Sequence, residues 1–216
     1  MNVIFNGPPG SGKDEGCEFL ATHYGYKHLS FKEELFTDTI SLFRVSREWF
    51  FEGYDNRAMK ERSEEMLGGF SRREAMIFTS ENVIKKIFGK DHYGKKTAEN
   101  VNSVSSYCFS DGGFIEEVMP VINNLGKENI CIVQIFRDGC SFSSDSRNYL
   151  NGHIQDKFIL NHQSEVLEKG HNVLPVRSYQ IHNNGTVNDF HQTIRKIIRK
   201  EVNAKEKEGY LFRKSL

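Results

Sequence analysis

The feature that most restricts this chain lies at its start, where the apolar run Asn2-Val3-Ile4-Phe5 is closed by Gly7-Pro8-Pro9-Gly10-Ser11-Gly12-Lys13-Asp14. A short apolar run bounded by glycine and proline reads as a buried strand. From Lys13 to Tyr24, residues Cys17, Phe19, Leu20 and Tyr24 recur at three- and four-residue spacings, which is a helix. A strand feeding a glycine-rich turn and then a helix points to an α/β layer architecture. The turn itself fits a Walker A loop. Glycines at Gly7 and Gly12 let consecutive backbone amides converge on a phosphate, Lys13 reaches the β- and γ-phosphoryl oxygens, and the helix start adds its positive end. Pro9, Gly10, Ser11, Gly12, Lys13 and Asp14 are therefore the expected ATP contacts. A chance glycine turn before a lysine would not account for the flanking strand and helix. Asp14 stands where most such loops carry serine or threonine, and a carboxylate there can hold Mg²⁺ directly or through water.

The rest of the chain continues the alternation. Tyr26 to Phe31 is a candidate strand and Lys32 to Phe43 an amphipathic helix. Residues from about 46 to 96 are helical almost throughout, interrupted at Gly53 and Gly68-Gly69. Ser71 and Glu74 have capping-box spacing. Ser105 to Phe109, Ile130 to Phe136 and Asn172 to Val176 are further strand candidates, the last continuing toward Tyr179-Gln180-Ile181. Gly113 to Asn124 and Phe158 to Lys169 read as helices between and after them. At 216 residues this fits one domain: a parallel sheet with helices on both faces, a helical insert over about 46–96, a lid over about 137–152 and a charged tail at 200–216.

Charged residues make up 27% of the chain and sum to zero net charge, so no global field attracts nucleic acid or an anionic membrane. Contact with DNA would need a local patch. Cys17, Cys108, Cys131 and Cys140 show neither CxxC nor zinc-ligand spacing, and reduced thiols are expected. The chain begins without a basic leader or long apolar stretch, which leads to the expectation of a cytoplasmic, non-membrane protein.

With these blocks in place, the sequence resembles the bacteriophage deoxynucleoside monophosphate kinases, which share a Gly-Lys-Asp ending of the loop. Phe70-Ser71-Arg72-Arg73-Glu74, Thr79-Ser80-Glu81, Gly89-Lys90-Asp91-His92-Tyr93, Arg137 with Ser144-Asp145-Ser146-Arg147, and His182-Asn183-Asn184-Gly185-Thr186 are similar, in order, to that family's later blocks. The resemblance implies an adenylate-kinase-like P-loop fold, ATP and Mg²⁺ as cofactors, and a pyrimidine nucleotide acceptor. It implies that Arg73, Glu81 and Tyr93 face the acceptor, that Arg137 and Arg147 close over the transferring phosphoryl group, and that Asn184 lies near adenine. On the residues alone, Arg73 also fits a solvated helix surface, Glu81 an i,i+4 pair with Lys85, and Tyr93 a core aromatic.

One block departs from the family. After Ser106-Tyr107-Cys108-Phe109, where the family has an aspartate followed by an arginine-containing turn, this chain reads Ser110-Asp111-Gly112-Gly113-Phe114. Without that arginine, and with Gly112 and Gly113 opening space, the expected acceptor carries an uncharged hydroxyl. Asp111 is the candidate general base, or a Mg²⁺ holder through water. The segment is similar to that of phage kinases that phosphorylate 5-hydroxymethyluracil already in DNA, which would require a flipped base. Lys85, Lys86, Lys90, Lys95 and Lys96 are candidate backbone contacts, and Phe50, Phe51 or Tyr54 candidate stacking partners. The alternatives are a deoxynucleoside monophosphate kinase, with Lys32 and Arg73 as phosphate clamps, and a nucleotide-switch binding protein.

Overall fold

The run at the chain start becomes β1 (Asn2–Asn6), buried at every position, because both of its faces are covered. Val3 and Phe5 point to one side, where they meet Cys17 and Leu20 of α1 (Lys13–Tyr24) and Phe190 and Ile194 of α9 (Val187–Lys214). Ile4 points to the other, against Val118, Val121 and Ile122 of α8 (Ile115–Leu125). Each such side chain taken fully out of water contributes about 1.5–3 kcal/mol. The computed structural model describes residues 1–143, 145, 147–160 and 173–214.

Around β1 lie β2 (Lys27–Leu29), β3 (Tyr107–Phe109), β4 (Ile130–Phe136), β5 (Asn151–Leu160) and β6 (Val173–Asn183). They form one six-stranded sheet in the order β2-β3-β1-β4-β6-β5, and every pairing is parallel. Because β1 has β3 on one side and β4 on the other, the chain leaves it in opposite directions. This opens a crevice beyond the carboxyl ends of the strands.

The insert builds its own small core. It comprises α3 (Arg47–Tyr54), α4 (Arg57–Lys60), a 3₁₀ turn at Glu65–Leu67, α5 (Arg72–Ile77), a π-helical stretch at Phe78–Ile84, α6 (Lys85–Phe88) and α7 (His92–Glu99). Phe50, Leu67, Ala75 and Met76 bury against Phe36 of α2 (Lys32–Phe43). The Ser71–Glu74 capping box is formed in both directions. Arg72 is 1% exposed and donates to the carbonyls of Phe50, Trp49 and Met59 and to the Glu64 carboxylate, so one guanidinium ties α3, α4 and α5 together.

The helix expected from Phe158 is corrected. Phe158–Leu160 closes β5 instead of opening a helix, and 161–169 lie outside the described residues. From Gln155 onward exposed and half-buried positions alternate with the period of two that an edge strand requires. The last strand runs from Val173 to Asn183 and includes the expected continuation through Tyr179-Gln180-Ile181. Its buried polar position Gln180 is paired internally, donating to Gln134 at 2.9 Å. The charged tail is helical as far as Lys214.

Candidate active site

A cavity of about 700 Å³ opens where β1 and β3 end. At one end it is lined by Pro9, Gly10, Lys13 and Asp14 of the loop after β1, and at the other by the insert and the first turn of α8. Gly10 and Gly12 both adopt positive φ, 80° and 110°. Glycine takes these values without the steric penalty a Cβ would bring. At Gly12 an added Cβ would also lie 2.8 Å from Nδ2 of Asn183, which donates to the Ser11 carbonyl and fixes the loop. The Lys13 ammonium folds back to donate to the Pro8 carbonyl at 2.7 Å. Burial, reinforced by Arg147, lowers its pKa to about 8 against the opposing pull of Asp14. The buried Ser11 hydroxyl has no hydrogen-bond partner among the described residues.

Asp111, at the end of β3, is 4% exposed and lines the same cavity. Its carboxylate accepts from the Ser30 hydroxyl at 2.6 Å and from the amides of Phe31 and Lys32 at 3.1 and 3.2 Å. It therefore caps the start of α2, and three of its roughly four acceptor positions are taken.

The glycines beside it do not open space. An added Cβ at Gly112 would lie 2.5 Å from Ile4, and at Gly113 within 2.7–2.8 Å of the Arg147 stem. They are small because Ile4 and Arg147 fill the room. Asn6 secures the arrangement: it donates to the carbonyls of Gly112 and Asn148 and accepts from the Leu150 amide. Arg147 is paired in two-pronged fashion with Asp145, at 2.9 and 2.5 Å. Burial would raise the Asp145 pKa, but these bonds hold it down to about 2. The cation absent from the turn after β3 is thus supplied from a distant segment, and the argument from a missing arginine no longer holds.

The expected lid residues divide. Arg147 lines the cavity, whereas Arg137 is exposed and donates to the Gly10 carbonyl at 3.2 Å from outside. The segment from Arg147 to Leu150 is docked on β1 and the Gly112-Gly113 turn, 151–152 belong to β5, and Ser144 and Ser146 lie outside the described residues. Asn184 accepts from the Asp138 amide at 2.9 Å. Its neighbour Asn183 is the residue that holds the loop.

On the acceptor side Lys32, Arg73, Glu81 and Tyr93 all line the cavity. Tyr93 is also a wall residue, 1% exposed, its hydroxyl donating to Asp38 at 3.2 Å. Glu81 pairs with Lys85 at 2.8 Å, and Lys85 reaches Glu117 at 3.4 Å. Burial pushes the Glu117 pKa up to about 7, with Lys85 opposing and Asp111 adding to the rise. Lys60 sits 3.7 Å above the Tyr54 ring, and burial together with Lys32 and Arg73 lowers its pKa to about 8.

The expected DNA patch is corrected in part. Lys85 is inside the cavity, while Lys95 and Lys96 are paired with Asp91 and Glu99. Lys86 and Lys90 remain on the surface. Phe50 is fully buried and Phe51 packs on Phe36, so of the three aromatics Tyr54 is the one that lines the cavity. Lys60 and Glu117 were not anticipated. Glu117 follows Glu116 in the first turn of a helix, where acidic residues ordinarily complement the dipole.

Among the described residues no group of three or more His, Cys, Asp or Glu could hold a metal ion, and no helix is long and apolar enough to cross a membrane. Mg²⁺ needs only one or two carboxylates when phosphates share it. Asp14, exposed beside Lys13, fits that role, and Asp111 has one acceptor position left for a bridging water. No family model matches the chain, and no curated protein matches it. Among solved structures, the crystal structure of "a putative kinase" from Chloroflexus aurantiacus is similar at 13% identity and a TM-score of 0.32, over 64% of this chain and 60% of that one. The chain thus spans less than two thirds of that structure, a likeness too loose to carry an argument.

Proposed function

We propose that this chain is an ATP-dependent phosphotransferase whose acceptor is a hydroxyl on a pyrimidine nucleotide, in the first place the 5-hydroxymethyl group of 5-hydroxymethyluracil in DNA. The observation that carries the reading is one cavity that joins the Lys13 loop to the buried carboxylates Asp111 and Glu117. A neutral alcohol must lose a proton as it attacks, and a buried carboxylate can accept it. A phosphate acceptor is already ionised, and nearby carboxylates would repel it.

The loop from Gly7 to Lys13 binds the ATP phosphates: α1 presents unpaired first-turn amides, and Lys13 leaves the Pro8 carbonyl for the β- and γ-oxygens. Arg147, oriented by Asp145, neutralises charge on the transferring group. Asp14 would hold Mg²⁺, which would offset the charge on the phosphates. Lys32, Lys60 and Arg73 hold the phosphates of the acceptor nucleotide. If the acceptor is in DNA, its base must be flipped out to enter, with Tyr54 available to stack.

The same cations favour a second reading, a deoxynucleoside monophosphate kinase, since Lys32, Lys60 and Arg73 facing one cavity suit a dianion. Incubation with labelled ATP and a panel of acceptors separates the two. Duplexes containing uracil, thymine or 5-hydroxymethyluracil are set against free deoxynucleoside monophosphates. Label on the hydroxymethyl duplex alone is expected, and Lys13→Ala should reduce it by about 100-fold or more. Diphosphate formation without labelled DNA reverses the assignment.

A further inference from the structure

We propose that Glu117 is the general base that removes the proton of the acceptor hydroxyl, with Lys85 positioning its carboxylate; this rests on the hydroxyl-acceptor reading above. Asp111, just after β3, and Glu117, in the first turn of α8, are both buried and face the cavity, and their surroundings differ. Asp111 is spent on capping α2, with three donors directed at its oxygens, and a carboxylate so engaged is a weak base. Glu117 is 7% exposed, and Lys85 at 3.4 Å is its closest cation.

The local structure looks built to hold this side chain. At Gly94 an added Cβ would lie 2.3 Å from the Glu117 carbonyl, so α7 presses directly on the first turn of α8. Lys85 bridges Glu117 and Glu81 and lies 4.4 Å from the Phe114 ring, which keeps its ammonium inside the cavity. The charged and titratable groups around Glu117 are Lys85 and Glu81 from the insert, Tyr93 from α7, Asp111 from the turn after β3, and Arg147. Burial and Asp111 disfavour the anion and Lys85 favours it, which leaves the carboxyl titrating at about 7. That value suits a base working near neutral pH.

In the step, the acceptor oxygen forms its bond to the γ-phosphorus while the bond from that phosphorus to the β,γ-bridging oxygen breaks and ADP leaves. The hydroxyl proton passes to a Glu117 carboxylate oxygen and from there to solvent.

The test is the pH profile of label transfer to a 5-hydroxymethyluracil duplex by wild type, Glu117→Gln and Lys85→Met. Wild-type kcat/KM should rise with pH to a plateau with a midpoint near 7. Glu117→Gln should lower kcat about 100-fold or more and flatten the profile. Lys85→Met should move the midpoint upward, because the cation that favours the anion is gone. A purely structural Glu117 would not produce that shift, and if Glu117→Gln fails to fold, the Lys85→Met midpoint decides. Glu117→Gln activity within threefold of wild type, or a midpoint indifferent to Lys85, overturns the proposal while leaving the hydroxyl-acceptor reading standing. Wild-type transfer to free monophosphates alone overturns both.

Discussion

Asp111 shows how a residue's partners can narrow its chemistry. Its oxygens receive the Ser30 hydroxyl and the amides of Phe31 and Lys32, so Asp111→Asn places an amide NH₂ against donors and removes the negative charge from the start of α2. The expected cost is about 1–3 kcal/mol. That corresponds to a fall in Tm of roughly 2–12 °C for a domain of this size, with transfer reduced less than tenfold. Scanning calorimetry beside the transfer assay checks it, and a hundredfold loss of transfer at unchanged Tm would return the base role to Asp111. The turn holding Gly10, Gly12 and Lys13 was legible in the sequence because these residues lie within four positions, between an apolar run and a helical one. Lys60 and Glu117 were not. They converge from segments far apart in the chain, and each on its own reads as an ordinary surface or helix-end charge. Gly112-Gly113 was misread for the same reason: a glycine marks close approach, but the sequence does not say of what.

Elements whose signals are local were the ones read correctly. The strand, loop and helix at the start, and α5 with its Ser71–Glu74 box, depend on neighbours within a few residues. The edge strand β5 was missed because Phe158-Ile159-Leu160 suits either a strand or a helix, and only pairing with β6 decides. The insert follows a third logic, organised by one buried charge. Arg72 collects three carbonyls and Glu64, and an added Cβ at Gly53 would lie 2.1 Å from its guanidinium carbon. Gly53→Ala should therefore displace Arg72 and destabilise the insert by about 2–4 kcal/mol. Because the insert contributes Lys60 and Arg73 but nothing to the Lys13 loop, KM for the acceptor should rise while ATP affinity is kept. Urea denaturation and separate titrations of the two substrates measure this. An equal loss for ATP would mean that the insert also shapes the loop.

For the molecule as a whole, the cavity concentrates groups that the fold holds away from their ordinary titration, and stability must respond to pH in two opposed ways. Glu117 is raised from an ordinary 4.5 to about 7. Its neutral form is what the fold favours, so its contribution is fully present below 4.5 and is lost as pH rises through 7. Asp145 is lowered from 3.8 to about 2, so its contribution is present above 3.8 and lost as pH falls through 2. Both are in place between these limits, near pH 4. Lys13 and Lys60 titrate at about 8 and stay charged through this range. Between pH 4.5 and 7.5 the wild type should lose on the order of 2–3 kcal/mol through Glu117 alone. Glu117→Gln, which cannot ionise, should lose none of that and become the more stable protein at pH 7.5. Denaturant melts of both proteins at pH 4.5, 6 and 7.5 give the difference curve, in which changes common to both cancel. A gap that widens with pH, alongside loss of transfer in the same variant, means the fold gives up stability to keep an ionisable carboxyl in the cavity. Parallel curves would mean that Glu117 is not held neutral by burial, and its fitness as a base near neutral pH would go with it.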